Sequence, residues 1–151
     1  MPLANFGLVS KTQAGSCLYR SAQPDYRGLI DAYDMGIRTI FKLNDGFEAE
    51  FKGVTMRAPL AGWALGYDTD KIVSICQSIK EALNNSHVLL HCTEGRDRSG
   101  MCAAAFRLLY DNATLDEVNQ DRKDFGQWGI ISFVDYPENS VLTDILARRS
   151  K

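Results

Sequence analysis

The sequence predicts an α/β fold: one domain with a central, mostly parallel sheet and helices on both faces. Three observations lead there. Segments rich in β-branched and aromatic residues alternate with segments whose apolar residues recur at helical spacing, the pattern of strands joined by crossover helices. The chain has 151 residues, a length that suits one domain, residues 1–151, with a core of its own. Its composition, 45% hydrophobic and 24% charged, is that of an ordinary globular chain, and no repeat, linker or low-complexity tract divides it.

From the N-terminus, Phe6–Val9 and Ser16–Arg20 read as a first strand or hairpin. Gln23-Pro24-Asp25 is a helix-start signal, after which Leu29, Ile30, Tyr33 and Ile37 fall at helical spacing and Gly36 suits the stop. Arg38–Leu43 is a strand, Asn44-Asp45-Gly46 a turn, and Val54–Leu60 another strand, ended by Pro59. Asp68-Thr69-Asp70 is a cap-like cluster that opens a helix with the apolar side Ile72, Ile75, Ile79 and Leu83. His87–His91 is the central strand, followed by a helix over Ser99–Tyr110. A second helix spans Thr114 to about Lys123, opened by the capping box Thr114-x-x-Glu117, and a last one runs from about Glu138 to Arg149.

The formal net charge is −2, which gives no overall reason to bind nucleic acid or an anionic membrane. No apolar stretch approaches a membrane span, and Met1–Ser10 lacks the basic start and apolar run of a signal peptide. Four cysteines, Cys17, Cys76, Cys92 and Cys102, form no Cys-x-x-Cys pair, and neither histidine is spaced to complete a zinc site. Cys17, Cys76 and Cys102 read as small buried hydrophobes. The expectation is a monomer without metal or cofactor, located in the cytoplasm.

Chemistry concentrates in residues 91–100, His91-Cys92-Thr93-Glu94-Gly95-Arg96-Asp97-Arg98-Ser99-Gly100. An apolar strand leads in and an apolar helix leads out, so a thiol stands where a tight loop runs into a helix N-terminus. A cysteine attacks only as thiolate. Loop N–H groups and the helix N-terminus favour that anion and also bind a phosphate dianion. The backbone of Thr93, Glu94, Gly95, Arg96, Asp97 and Arg98 would form the cradle. Arg98 offers a planar fork for two phosphate oxygens, and Ser99 a hydroxyl for the departing sulfur. His91 fixes the loop's geometry rather than acting as a base. With average residue usage, Cys-x-x-Gly-x-x-Arg followed by Ser or Thr occurs by chance in about one chain in a thousand of this length.

The segment resembles the signature of the cysteine-dependent protein tyrosine phosphatase superfamily, His-Cys-x-x-Gly-x-x-Arg-Ser/Thr-Gly, at every fixed position. Leu18-Tyr19-Arg20-Ser21-Ala22-Gln23-Pro24, with Leu29 and Gly36-Ile37-Arg38-Thr39-Ile40, is similar to the start of small, atypical dual-specificity-like phosphatases. The resemblance runs from about residue 17 to about residue 125. It implies a dual-specificity-phosphatase-like fold and a two-step reaction without metal. Cys92 takes the phosphoryl group of a phosphorylated protein or small phosphomonoester, a carboxylic acid protonates the leaving oxygen, and water releases phosphate. It further implies that Arg20 braces the active-site loop.

The general acid is where the chain departs from the family. Compact members place an aspartate close after a Pro-hydrophobic pair, whereas here Pro59-Leu60-Ala61-Gly62-Trp63 carries no acid. Asp68 and Asp70 follow, 24 and 22 residues before Cys92. Asp68, nearer the loop tip, is the provisional acid, and Asp70 and Asp97 are its rivals. Helix capping is the plainer reading of Asp68 and Asp70, and a helix-start charge that of Asp97. Trp63 and Tyr67, with Phe125, Gln127 and Trp128, are candidate pocket walls. Arg96 points outward, towards a second phosphate or solvent. The substrate alternative is a phosphoinositide or inositol phosphate. The non-enzyme alternative is a phosphate-binding pseudophosphatase. Two further rivals are weaker: redox chemistry of the arsenate reductase kind, which lacks an evident resolving cysteine, and an RNA 5′-phosphatase, which lacks a basic groove.

Overall fold

The computed structural model describes residues 3–45, 48–60, 68–93, 98–124 and 136–149, with side chains in the last stretch from residue 141 onward. Five strands, β1 (Gly7–Lys11), β2 (Cys17–Ser21), β3 (Ile37–Lys42), β4 (Val54–Arg57) and β5 (His87–His91), form one sheet in the order β1-β2-β5-β3-β4. β1 and β2 are an antiparallel hairpin, and every other pairing is parallel. The helices are α1 (Tyr26–Asp34), α2 (Thr69–Ala82), α3 (Arg98–Tyr110), α4 (Leu115–Asp124) and α5 (Tyr136–Arg149). Among the described residues, no helix is long and apolar enough to cross a membrane.

The alternation of strand side chains builds a core on each face. In β5, Val88 and Leu90 join a cluster with α2, α3, α4 and α5, while Leu89 joins a second cluster with Leu29 and Ala32 of α1. Helices therefore cover both faces, as the sequence predicts. Ile72, Ile75, Ile79 and Leu83 are all buried against the larger cluster, each worth about 1.5–3 kcal/mol. A run of small residues, Ala103-Ala104-Ala105, lets α3 pack closely between its neighbours.

Most helix ends follow local chemistry. Asp25 caps α1 by accepting from Gly28 N, and Asp68 caps α2 by accepting from Lys71 N. Thr114 and Glu117 exchange side-chain to backbone bonds at the start of α4, a capping box. Most boundaries fall within two residues of the sequence reading, and two differ by more. Ile37 belongs to β3 and not to the helix face, because Gly36 at φ +98° turns the chain first. β4 stops at Arg57 instead of Leu60. Pro59 has no N–H to offer the ladder, so only Ala58 N and Leu60 N still reach the β3 side, at Lys42 O and Leu43 O.

Candidate active site

β5 is the central strand, hydrogen-bonded to β2 on one side and β3 on the other. Its three middle residues are fully buried, so the residue that follows it is rigidly placed. That residue is Cys92. The carbonyls of the residues on either side of it are held by the flanking chains: Leu43 N donates to His91 O at 3.0 Å and Gln23 N donates to Thr93 O at 2.9 Å. The position lies beyond the strand C-termini, where β5 separates β2 from β3, the place at which open α/β sheets bind ligands.

Cys92, Thr93, Arg98 and Ser99 come together there. Cys92 Sγ lies 3.4 Å from Ser99 Oγ in the first turn of α3. Arg98 is the first residue of α3, and its guanidinium donates to Thr93 Oγ1 at 3.2 Å. Cys92 and Ser99 are buried, whereas Thr93 is exposed. Glu94, Gly95, Arg96 and Asp97 lie outside the described residues, as do Trp63, Tyr67, Phe125, Gln127 and Trp128.

Cations sit beside β5 on both neighbouring strands. Arg20 of β2 pairs in register with Leu90 and is only 1% exposed. Burial pulls its pKa down to about 10, against the opposing charges of Cys92 and Asp121 and with that of Arg122. Lys42 of β3 pairs in register with His91 and is equally buried. Burial lowers its pKa too, opposed first by the carboxylate of Glu48. Lys42 Nζ donates to Asn44 Oδ1 at 2.7 Å, and Asn44 Nδ2 donates to Thr93 Oγ1 and to Gln23 Oε1, each at 2.9 Å. Gln23 Nε2 donates to Glu48 Oε1 at 3.1 Å. The same carboxylate oxygen lies 2.5 Å from His91 Nε2, off the line of a good hydrogen bond, so the contact is best described as electrostatic. His91 Nδ1 faces Cys92 O at 3.2 Å.

Asp68 and Asp70 stand at the start of α2. Asp68 is exposed and its Oδ1 caps the helix at 3.2 Å. Asp70 is exposed and pairs with Arg148 of α5 at 2.8 Å. Asp68 therefore has the capping role that its spacing suggests, whereas Asp70 joins α2 to α5 by an ion pair.

No family model matches the sequence, and no curated protein matches it. Solved structures do. The core catalytic domain of the PP-IP phosphatase SIW14 from S. cerevisiae has a TM-score of 0.72 at 15% identity, covering 99% of this chain and 93% of its own. TpbA from P. aeruginosa has a TM-score of 0.71 at 17% identity, covering 89% and 86%. A mouse candidate dual specificity phosphatase, crystallised with zinc tungstate, has a TM-score of 0.70 at 14% identity, covering 87% and 82%. By their descriptions, SIW14 is a PP-IP phosphatase and the mouse protein a candidate dual specificity phosphatase. The fold is that of the dual-specificity phosphatases.

Within this dual-specificity phosphatase fold, the residues that sequence reasoning missed are Lys42, Asn44 and Glu48, together with the side-chain roles of Gln23 and Thr93. One signal was available. Lys42 interrupts the apolar run Ile40-Phe41-Lys42-Leu43 in a strand that a parallel sheet buries on both faces. A lysine there must be paired.

The cysteines of α2 and α3 lie behind the site in the same fold. Burial pushes the Cys76 thiol well above its usual value and the Cys102 thiol up to about 12, with Cys92 a smaller cause for the latter. An unfolded thiol ionises near 9, so the stability these thiols contribute is complete below that pH and is lost as pH rises towards 12. Each pH unit in that window removes about 1.4 kcal/mol per thiol. Urea midpoints should fall between pH 9 and 11 (about two units of that window), and Cys102→Ala should flatten the fall. An unchanged slope in the variant would show that other groups control it.

Proposed function

We propose that this chain is a metal-independent phosphatase that hydrolyses phosphomonoesters, phosphotyrosine foremost and phosphoserine or phosphothreonine esters with it, through a phosphocysteine intermediate. One observation carries the reading: in a dual-specificity phosphatase fold, Cys92 directly follows the central strand with its Sγ 3.4 Å from Ser99 Oγ, and Arg98 opens the adjoining helix. TpbA, which shares the fold, has been crystallised with phosphotyrosine.

In the first step the Cys92 thiolate attacks phosphorus as the ester P–O bond breaks. The leaving oxygen takes a proton from the general acid, for which Asp68 is the provisional residue and Asp70 and Asp97 are alternatives. Backbone N–H groups of residues 93–98 and the Arg98 fork hold the equatorial oxygens as charge shifts onto them, a contribution of several kcal/mol in sites of this kind. In the second step water attacks phosphorus, the S–P bond breaks and the same carboxylate takes the water's proton. The Ser99 hydroxyl then donates to the returning thiolate. The protein would act as a monomer in a reducing compartment such as the cytoplasm, on a phosphorylated protein or a small phosphomonoester.

A second reading, an inositol phosphate or phosphoinositide substrate, is favoured by the likeness to the PP-IP phosphatase SIW14 over nearly the whole chain. Rapid mixing with p-nitrophenyl phosphate tests the shared chemistry. A burst of p-nitrophenolate equal to the enzyme concentration is expected, and no turnover would leave a phosphate-binding pseudophosphatase. Asp68→Asn should lower kcat by about 10²-fold and remove the requirement for a protonated acid from the pH profile. Transfer of that effect to Asp70→Asn or Asp97→Asn would reassign the acid. The ratio of kcat/KM for a phosphotyrosine peptide to that for an inositol pyrophosphate decides between the two substrate classes.

A further inference from the structure

Thr93 occupies a variable position of the signature, directly after Cys92. Its hydroxyl oxygen has two lone pairs and one proton. Asn44 Nδ2 donates to it at 2.9 Å and Arg98 donates to it at 3.2 Å. With both lone-pair directions taken, the proton is left to donate elsewhere. Thr93 is exposed, so this donor faces the open side of the site, next to the guanidinium fork.

The direction of these bonds is not arbitrary. Asn44 could in principle present either its oxygen or its nitrogen to Thr93. Lys42 Nζ carries only donors, and it sits 2.7 Å from the Asn44 oxygen. A flipped amide would place an NH₂ group against the buried ammonium. Lys42 therefore fixes the amide, and Asn44 Nδ2 divides its two N–H bonds between Gln23 Oε1 and Thr93 Oγ1. Gln23 is oriented in turn, because its own NH₂ group donates to Glu48. The chain of donors ends at Thr93.

We propose that Thr93 is a further catalytic residue: its hydroxyl, oriented by Lys42 through Asn44, donates to the phosphoryl group that Arg98 holds. Lys42 and Asn44 are positioning residues. This deepens the phosphatase reading and rests on it. An oxyanion bound by Arg98 lies within reach of a hydroxyl only 3.2 Å from that guanidinium. A donor whose direction is already set needs no reorganisation as charge builds on the phosphoryl oxygens.

The test compares wild type with Thr93→Val, Thr93→Ser, Lys42→Met and the double variant Thr93→Val/Lys42→Met. kcat and KM are measured with p-nitrophenyl phosphate, and vanadate affinity by calorimetry. Thr93→Val keeps the shape and removes the hydroxyl at an exposed position, so the fold should persist. It should lose at least tenfold in kcat and a similar factor in vanadate affinity, while Thr93→Ser stays within about threefold of wild type. Lys42→Met should reproduce part of the loss, and the double variant should be no worse than Thr93→Val alone, because both act through one hydroxyl. Wild-type kcat and vanadate affinity in Thr93→Val would overturn the proposal, as would fully additive losses in the double variant. If Cys92→Ser left turnover intact, the phosphatase reading would fall by itself, and vanadate affinity in Thr93→Val would still decide the role of Thr93.

Discussion

Cys92→Ser should abolish turnover of an aryl phosphate while leaving phosphate analogues bound. The expectation follows from where the sulfur stands. The carbonyls of the residues before and after it are held by Leu43 N and Gln23 N, so a side chain that differs by one atom leaves the backbone where it was. Oxygen is smaller than sulfur, and the 3.4 Å approach to Ser99 Oγ has room for it. Anion binding, assigned to Arg98 and the loop backbone in the proposed mechanism, should therefore change by less than about tenfold. The chemical step is different. A serine hydroxyl without an adjacent base is a poor nucleophile at neutral pH, whereas a cysteine supplies thiolate. A fall in kcat of at least about 10⁴-fold, or about 5.5 kcal/mol, is expected. Steady-state assays with p-nitrophenyl phosphate and calorimetric titration with vanadate measure the two halves separately. Surviving turnover would remove the nucleophile from the mechanism, and loss of both properties would mean that the substitution had disturbed the site itself.

The sequence made the frame of this site legible because the frame is built from local patterns. Val88-Leu89-Leu90 announces a buried strand, Asp68 and Thr114 announce helix starts, and Ile72, Ile75, Ile79 and Leu83 announce a buried helix face. Each signal lies within a few residues of the structure that it specifies. Segments that depend on contacts across the chain were less legible. Val54–Leu60 has strand composition throughout, yet the ladder becomes irregular where Pro59 removes a donor. The polar cluster behind Cys92, beyond the local signal of Lys42, was illegible for a similar reason. Gln23, Lys42, Asn44, Glu48 and His91 come from three separate stretches, and only the parallel register of β2, β5 and β3 brings them together. No spacing rule within one segment encodes that meeting. The acid showed the opposite difficulty. Asp68 and Asp70 carry a helix-start signal, and the structure gives Asp68 a cap and Asp70 an ion pair, so local pattern alone does not distinguish a capping acid from a catalytic one.

The buried cluster makes the second large prediction, one of stability. Glu48 presents one carboxylate oxygen both to Gln23 Nε2 at 3.1 Å and to His91 Nε2 at 2.5 Å. The side chains of His91 and Glu48 are 0% and 4% exposed. Glu48→Leu would set an apolar group against the buried His91 ring in place of the carboxylate and remove one acceptor from the half-buried Gln23 amide. Stranding buried polar partners in this way costs about 3 kcal/mol. For a chain of this length that corresponds to a fall of roughly 10 °C in Tm. Glu48→Gln keeps an acceptor oxygen and should lose less than half as much. The pair can also be removed as a unit: in Glu48→Leu/His91→Phe no buried carboxylate or imidazole remains, and the double variant should regain part of the loss. Thermal unfolding followed by circular dichroism measures all three variants. Because His91 O is held by Leu43 N and His91 Nδ1 faces Cys92 O, kcat should fall with Tm in Glu48→Leu even under conditions where the variant is fully folded. A Glu48→Leu protein that melts within about 2 °C of wild type would show that the contact contributes little net stability, as many buried polar pairs do.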